Sequence, residues 1–209
     1  GLWYTGNNHI IEYNEIYNVA LDVSDSGAIY CGRSNLYGGV ITRYNYIHDT
    51  GVGTNSVNGI YWDDCASGQT AYGNVVVNAH GVGILIGGGR AQNVTGNVFV
   101  GCGRGPIEYD ARGWRGIFGD GTWKSIVDFS YEAFEDERFI NDTWKAAFPW
   151  LFEATLTRDP DPDDGNWLCA PGGSTVKDNV YLITSLWDDA KDYAALTDEE
   201  KALYKDRID

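Results

Sequence analysis

The chain has 209 residues, 43% of them hydrophobic and 22% charged, enough to bury one sizeable core and too apolar for a disordered polymer. Acids outnumber bases 30 to 15, and the net charge of -15 excludes nucleic acid and anionic membranes as partners while leaving a neutral polymer such as a carbohydrate unopposed. No stretch approaches the roughly 18 uninterrupted apolar residues of a membrane span.

Two short patterns alternate along the first half. One is an asparagine followed by apolar residues: Tyr13-Asn14-Glu15-Ile16-Tyr17-Asn18, Tyr44-Asn45-Tyr46-Ile47-His48-Asp49, Gly73-Asn74-Val75-Val76-Val77-Asn78 and Gly96-Asn97-Val98-Phe99-Val100. A last copy is Asp178-Asn179-Val180-Tyr181-Leu182. The other is a short strand after a glycine or turn: Ala28-Ile29-Tyr30-Cys31-Gly32-Arg33, Gly59-Ile60-Tyr61-Trp62-Asp63-Asp64, Gly83-Ile84-Leu85-Ile86-Gly87-Gly88 and Pro106-Ile107-Glu108-Tyr109-Asp110-Ala111. The first four asparagines are 31, 29 and 23 residues apart and the isoleucines 31, 24 and 23, so the two patterns keep phase. A shared period in the twenties is that of a solenoid. Segments of four to six residues, rich in Val, Ile, Tyr and Phe and bounded by Gly or Asn, are strands. The reading is an all-β, right-handed parallel β-helix in which each asparagine takes a left-handed turn and bonds the asparagine of the next coil.

Beyond the coils, residues 114–165 carry charges at helical spacing and several tryptophans, and predict a partly helical insertion. An acidic Asp-Pro loop spans 159–165; its glycine and final residue do not fit a calcium loop. Another rung lies within 166–183. Thr197-Asp198-Glu199-Glu200 is a capping box in a C-terminal cap helix over 186–207. The domain reading is one β-helix over 1–209, with rungs at 5–113 and 166–183. The cysteines Cys31, Cys65, Cys102 and Cys169 match no zinc or redox spacing and are read as buried free thiols. No cofactor and no metal are expected.

Phasing the coils sorts side chains, because successive strand residues face opposite ways. Ile29, Ile60, Ile84 and Ile107 form an inward column, as do Cys31, Trp62, Ile86 and Tyr109. Tyr30, Tyr61, Leu85 and Glu108, and then Gly32, Asp63, Gly87 and Asp110, face outward. Asp63 and Asp110 are thus two rungs apart across Gly87, with backbones roughly 9 to 10 Å apart. A bare glycine floor between two acids forms a trough for one sugar ring. Paired carboxylates hydrolyse glycosides, and this spacing is nearer the inverting range. Asp25 and Asp64 are further catalytic candidates; Tyr61, Glu108, Arg33, Arg90, Arg112 and Trp114 are substrate-binding candidates.

These residues carry a family resemblance. Asp25-Ser26-Gly27-Ala28-Ile29-Tyr30 with Gly32-Arg33, Gly59 to Asp64, Gly87-Gly88-Gly89-Arg90, Asp110-Ala111-Arg112-Gly113 and Pro149-Trp150 together resemble the bacterial β-helix fucosidase/xylanase glycoside hydrolase family, over residues 5 to 183. The resemblance implies a secreted or periplasmic glycosidase acting on plant polysaccharide with two aspartates, Asp63 or Asp64 with Asp25 or Asp110. Members of that family are longer, with more coils before this point. The expectation is therefore that an N-terminal segment or another chain completes the β-helix. A polysaccharide lyase and a non-catalytic carbohydrate-binding solenoid are the alternative readings on the same fold.

Overall fold

The computed structural model describes residues 1–53, 56–138 and 140–182. The described residues wind through five coils. The first holds β1 (Leu2–Trp3), β2 (Ile10–Glu12) and β3 (Glu15–Tyr17), and the second β4 (Ser26–Gly32), β5 (Val40–Arg43) and β6 (Tyr46–Thr50). The third holds β7 (Val57–Asp63), β8 (Gln69–Tyr72) and β9 (Val75–Ala79), and the fourth β10 (Ile84–Ile86), β11 (Asn93–Thr95) and β12 (Val98–Val100). The fifth begins with β13 (Ile107–Tyr109), departs into helices, and returns as β14 (Thr175–Lys177) and β15 (Val180–Tyr181). Strands at the same place in successive coils pair in parallel, giving three five-stranded sheets: β1-β4-β7-β10-β13, β2-β5-β8-β11-β14 and β3-β6-β9-β12-β15. The architecture is an all-β parallel solenoid. Parallel pairing follows from the winding, since each strand meets its partner only after a full turn of chain.

The register is the one the repeats imply. Ile29, Ile60, Ile84 and Ile107 pair in line, as do Cys31, Trp62, Ile86 and Tyr109. Ile29, Ile60, Ile84, Trp62 and Ile86 have no exposed surface. Each such side chain contributes about 1.5–3 kcal/mol of transfer free energy. The third sheet adds Ile47, Val76 and Phe99, also fully buried.

The asparagines form a continuous ladder between the second and third sheets. The side-chain amide of Asn14 donates to Asn45 Oδ1 at 2.9 Å, Asn45 to Asn74 at 3.0 Å, Asn74 to Asn97 at 2.9 Å and Asn97 to Asn179 at 2.9 Å. One expectation is corrected: the left-handed residue is the one before each asparagine. Tyr13, Tyr44, Gly73, Gly96 and Asp178 have φ of 56°, 54°, 63°, 64° and 56°. The preceding residue takes the turn, which leaves the asparagine amide aimed along the stack. A second buried ladder was not foreseen: Gln92 Oε1 accepts from the Gln69 N–H at 3.0 Å, and Ser174 Oγ accepts from the Gln92 N–H at 3.1 Å.

Between β13 and β14 lie α1 (Arg112–Ile117), α2 (Lys124–Glu135), α3 (Asp142–Ala147) and a 3-10 turn, Pro149–Leu151. Helix α2 turns Val127, Ser130, Tyr131 and Phe134 inward, an i, i+3, i+4, i+7 stripe. Asn141 caps α3 by accepting from the Trp144 N–H at 3.1 Å. These helices bury a second apolar cluster with Leu36 and Cys65 of the coils and Leu168 and Cys169 of the returning chain. All four cysteines are free and buried. No helix among the described residues is long and apolar enough to cross a membrane. The cap helix expected over 186–207 lies outside the described residues.

Candidate functional site

The site is built where the first sheet ends and the helices begin. β7 runs in regular alternation to Asp63, then the backbone turns left-handed at Asp64 (φ 43°) and Cys65 (φ 64°). Asp63 holds this turn: its carboxylate accepts from the Asp64 N–H at 2.9 Å and its carbonyl from the Ala66 N–H at 3.0 Å. Because the alternation stops there, neighbouring carboxylates that would face opposite sides of a strand both reach one guanidinium. That guanidinium is Arg112, the first residue of α1, two residues past Asp110.

Arg112 is held from three directions. Nη1 donates to Asp63 Oδ1 and, at 2.7 Å, to Asp64 Oδ1. Nε reaches both oxygens of Asp110 at 3.0 and 2.9 Å, and Nη2 reaches Asp110 Oδ2 at 2.6 Å. The Arg112 N–H also donates to Asp110 Oδ1 at 3.1 Å, so Asp110 grips both the backbone and the side chain. The Trp123 ring lies 4.7 Å from Cζ. Two phenols close the edge. Tyr30 donates to Asp63 Oδ2 at 2.7 Å; Tyr61 donates to Asp25 Oδ1 at 3.2 Å and accepts from Arg112 Nη2 at 3.4 Å. Arg33, largely exposed, approaches Asp64 at 3.3 Å.

The side chains of Arg112, Asp63 and Asp64 are 6%, 8% and 6% exposed, whereas that of Asp110 is 23% exposed and is the carboxylate solvent reaches most readily. Burial works against charge on Arg112, but the hydrogen bonds and charge of Asp110 outweigh it and hold the guanidinium charged far above its ordinary range. Burial, and next the neighbouring Asp63, raise the carboxyl of Asp64, with Arg112 opposing both. Burial lifts the Tyr61 and Tyr30 phenols, the latter aided by its bond to Asp63.

Thus Asp25, Asp63, Asp64, Asp110, Tyr61, Arg33 and Arg112 are brought together, but not around an empty trough. A Cβ built on Gly87 would stand 2.6 Å from Arg112 Cζ, so the guanidinium lies on the glycine floor that was expected to take a sugar ring. The outward column is also less open than expected: Tyr61 and Leu85 are 3% and 6% exposed and form a small cluster with Val82 and Tyr30. Three candidates stand apart. Glu108 pairs with Arg104 and not with the cluster. Arg90 is buried and donates to Asn166 Oδ1 at 2.9 Å, because the left-handed Gly88 and Gly89 carry it beneath the returning chain. Trp114 is about half exposed on α1, beside Phe118. The residues that sequence reasoning missed are Tyr30 and Trp123. Tyr30 stood in the outward column next to Tyr61 and could have been found there; Trp123 comes from the helical excursion, which coil phasing does not place.

Two expected results follow. Gly87→Ala places a methyl where the guanidinium lies, while Gly87 is not among the left-handed glycines, so its backbone accepts alanine. A loss of about 1–3 kcal/mol is expected in urea unfolding. Combined with Arg112→Met, the two losses should be less than additive; full additivity would place the effect elsewhere. For Asp64, a raised acid binds its proton more tightly in the folded chain. Its contribution to stability is therefore present in acid and lost as pH climbs from the ordinary value of 3.8 through the raised folded value. Wild type should lose stability relative to Asp64→Asn as pH rises from about 4 toward neutrality; parallel curves would contradict the raised carboxyl.

No family model matches the chain, and neither the curated proteins nor the solved structures with which it was compared include a match.

Proposed function

We propose that the protein is a glycoside hydrolase acting on a neutral plant cell-wall polysaccharide or oligosaccharide, xylan- or fucose-containing, in a secreted or periplasmic setting. The observation that carries the reading is the convergence on Arg112 of three aspartates unequal in burial, of which the buried Asp64 has its carboxyl raised. Two carboxyl groups whose environments separate their proton affinities are the requirement for glycoside hydrolysis. Asp64, whose carboxyl is raised by burial and next by Asp63, is assigned as the acid that protonates the leaving oxygen. Asp110, the most open of the three, is the carboxylate that activates water or attacks the anomeric carbon. Asp63 and Arg112 position them. The same reading takes the coil as right-handed, as nearly all parallel crossovers are, and residues 114–165 as an insertion that walls the cluster on one side.

A lyase is less favoured for a specific reason. It needs a basic side chain that can give up its proton, and Arg112 is held charged by its carboxylates. The test is incubation with a panel of neutral plant glycans in water enriched in oxygen-18. Hydrolysis predicts new reducing ends carrying one labelled oxygen per cleaved bond. An ultraviolet-absorbing unsaturated sugar would replace the proposal with a lyase, and binding without turnover would replace it with a sugar-binding solenoid.

A further inference from the structure

Two of the four cysteines meet at the seam between the coils and the helices. Cys65 stands on the left-handed turn after β7, and Cys169 on the chain returning toward β14; they are 0% and 2% exposed. A glycine backbone faces each of them. A Cβ on Gly88 would stand 3.3 Å from Cys65 Sγ and 3.6 Å from the Gly113 nitrogen, and a Cβ on Gly113 would stand 2.8 Å from Cys169 Cβ. Both cysteines lie in one buried apolar cluster, and Cys169 is the neighbour that most raises the Cys65 thiol. The other two cysteines have different surroundings. Cys31 points into the coil interior against Tyr4, and the Cys102 thiol faces the carbonyls of Val76 and Val100 at 3.9 Å.

We propose that Cys65 and Cys169 are a disulfide-forming pair, which closes when the protein folds in an oxidising medium and ties the helical excursion to the coil beside the Arg112 cluster. The oxidant is a small-molecule disulfide. One cysteine thiolate attacks it, forming a mixed disulfide and releasing one thiol. The second cysteine attacks the protein sulfur of that mixed disulfide, forming the Cys65–Cys169 bond and releasing a second thiol. The two cysteine protons leave on the two released thiols, and the oxidant takes up both electrons. The Cys169 partner and burial raise the Cys65 thiol in the folded chain, so the pair reacts while the seam is still open and slowly once it has closed.

The test is refolding with oxidised and reduced glutathione, followed by intact-mass measurement and alkylation after denaturation. The expected product is about 2 Da lighter than the reduced chain, is alkylated at Cys31 and Cys102 only, and yields one peptide linking Cys65 to Cys169. The linked loop is about 100 residues long, so the melting temperature should rise by about 5 °C or more over the reduced protein. Cys169→Ser should abolish the linkage and the mass loss. Alkylation of all four cysteines in refolded wild type, or a cross-link through Cys31 or Cys102, would overturn the proposal. None of these readouts depends on whether the chain hydrolyses a glycan.

Discussion

Arg112→Met is expected to destabilise the protein by about 3–5 kcal/mol, a fall in melting temperature of about 6–20 °C for a domain of this size. Methionine keeps much of the apolar stem, which runs beside Gly88, so the loss isolates the guanidinium. Without it, the buried side chains of Asp63 and Asp64 lose their shared cation, and Asp110 loses its paired bonds. Arg112→Lys should fall between wild type and Arg112→Met, because an ammonium keeps the charge but has three donors in place of the planar fork of five that pairs with Asp110. The deficit of Arg112→Met should also shrink as pH is lowered, since protonating the aspartates removes the charges left unpaired. Thermal melts at two pH values decide the matter. A loss below about 1 kcal/mol, or one that does not change with pH, would show that the cluster carries no net electrostatic weight.

Asn74→Ala is expected to cost about 2–4 kcal/mol. Asn74 is fully buried at the centre of the asparagine ladder. Its Oδ1 accepts from both the backbone and the side chain of Asn45, at 3.1 and 3.0 Å. Its Nδ2 donates to the Thr42 carbonyl and to Asn97 Oδ1, each at 2.9 Å. Alanine removes these bonds and takes the acceptor away from the buried Asn45 N–H, while Asn97 Oδ1 keeps the Asn74 N–H at 2.9 Å. Asn74→Asp is the sharper variant. It keeps the acceptor facing Asn45 but offers no hydrogen to Thr42 and sets a carboxylate against the Asn97 oxygen, so it should cost at least as much. Urea unfolding of both variants measures this. An aspartate variant as stable as wild type would mean that direction along the ladder does not matter.

The coil was legible because stacking converts sequence period into spatial neighbourhood. Once Asn14, Asn45, Asn74 and Asn97 were in phase, the columns of Ile29 to Ile107 and Cys31 to Tyr109 followed from strand alternation alone. The same phasing put Asp63, Gly87 and Asp110 in one column. It did not show what fills the space above Gly87. A column gives the direction of a Cβ and says nothing of where a long side chain from another element comes to rest, so Arg112 is legible in the sequence as a substrate-binding candidate and not as the centre of the cluster. The break in alternation at Asp64 was also hidden, because a non-glycine residue in the left-handed region carries no sequence mark there. Arg90 shows the reverse failure. It follows its strand at an offset similar to those of Arg33 and Arg112, yet the return of the chain at Asn166 buries it, and contacts so distant in sequence leave no periodic trace.

Under the proposed function, the aspartates around Arg112 cleave a glycosidic bond. The most direct measurement of this is reducing-sugar release from xylan and fucosylated glycans by wild type, Asp64→Asn and Asp110→Asn, each shown by circular dichroism to be folded. Turnover by wild type and a fall of about 10²–10⁴-fold in each variant are expected. Equal turnover in all three would contradict this role of the aspartates.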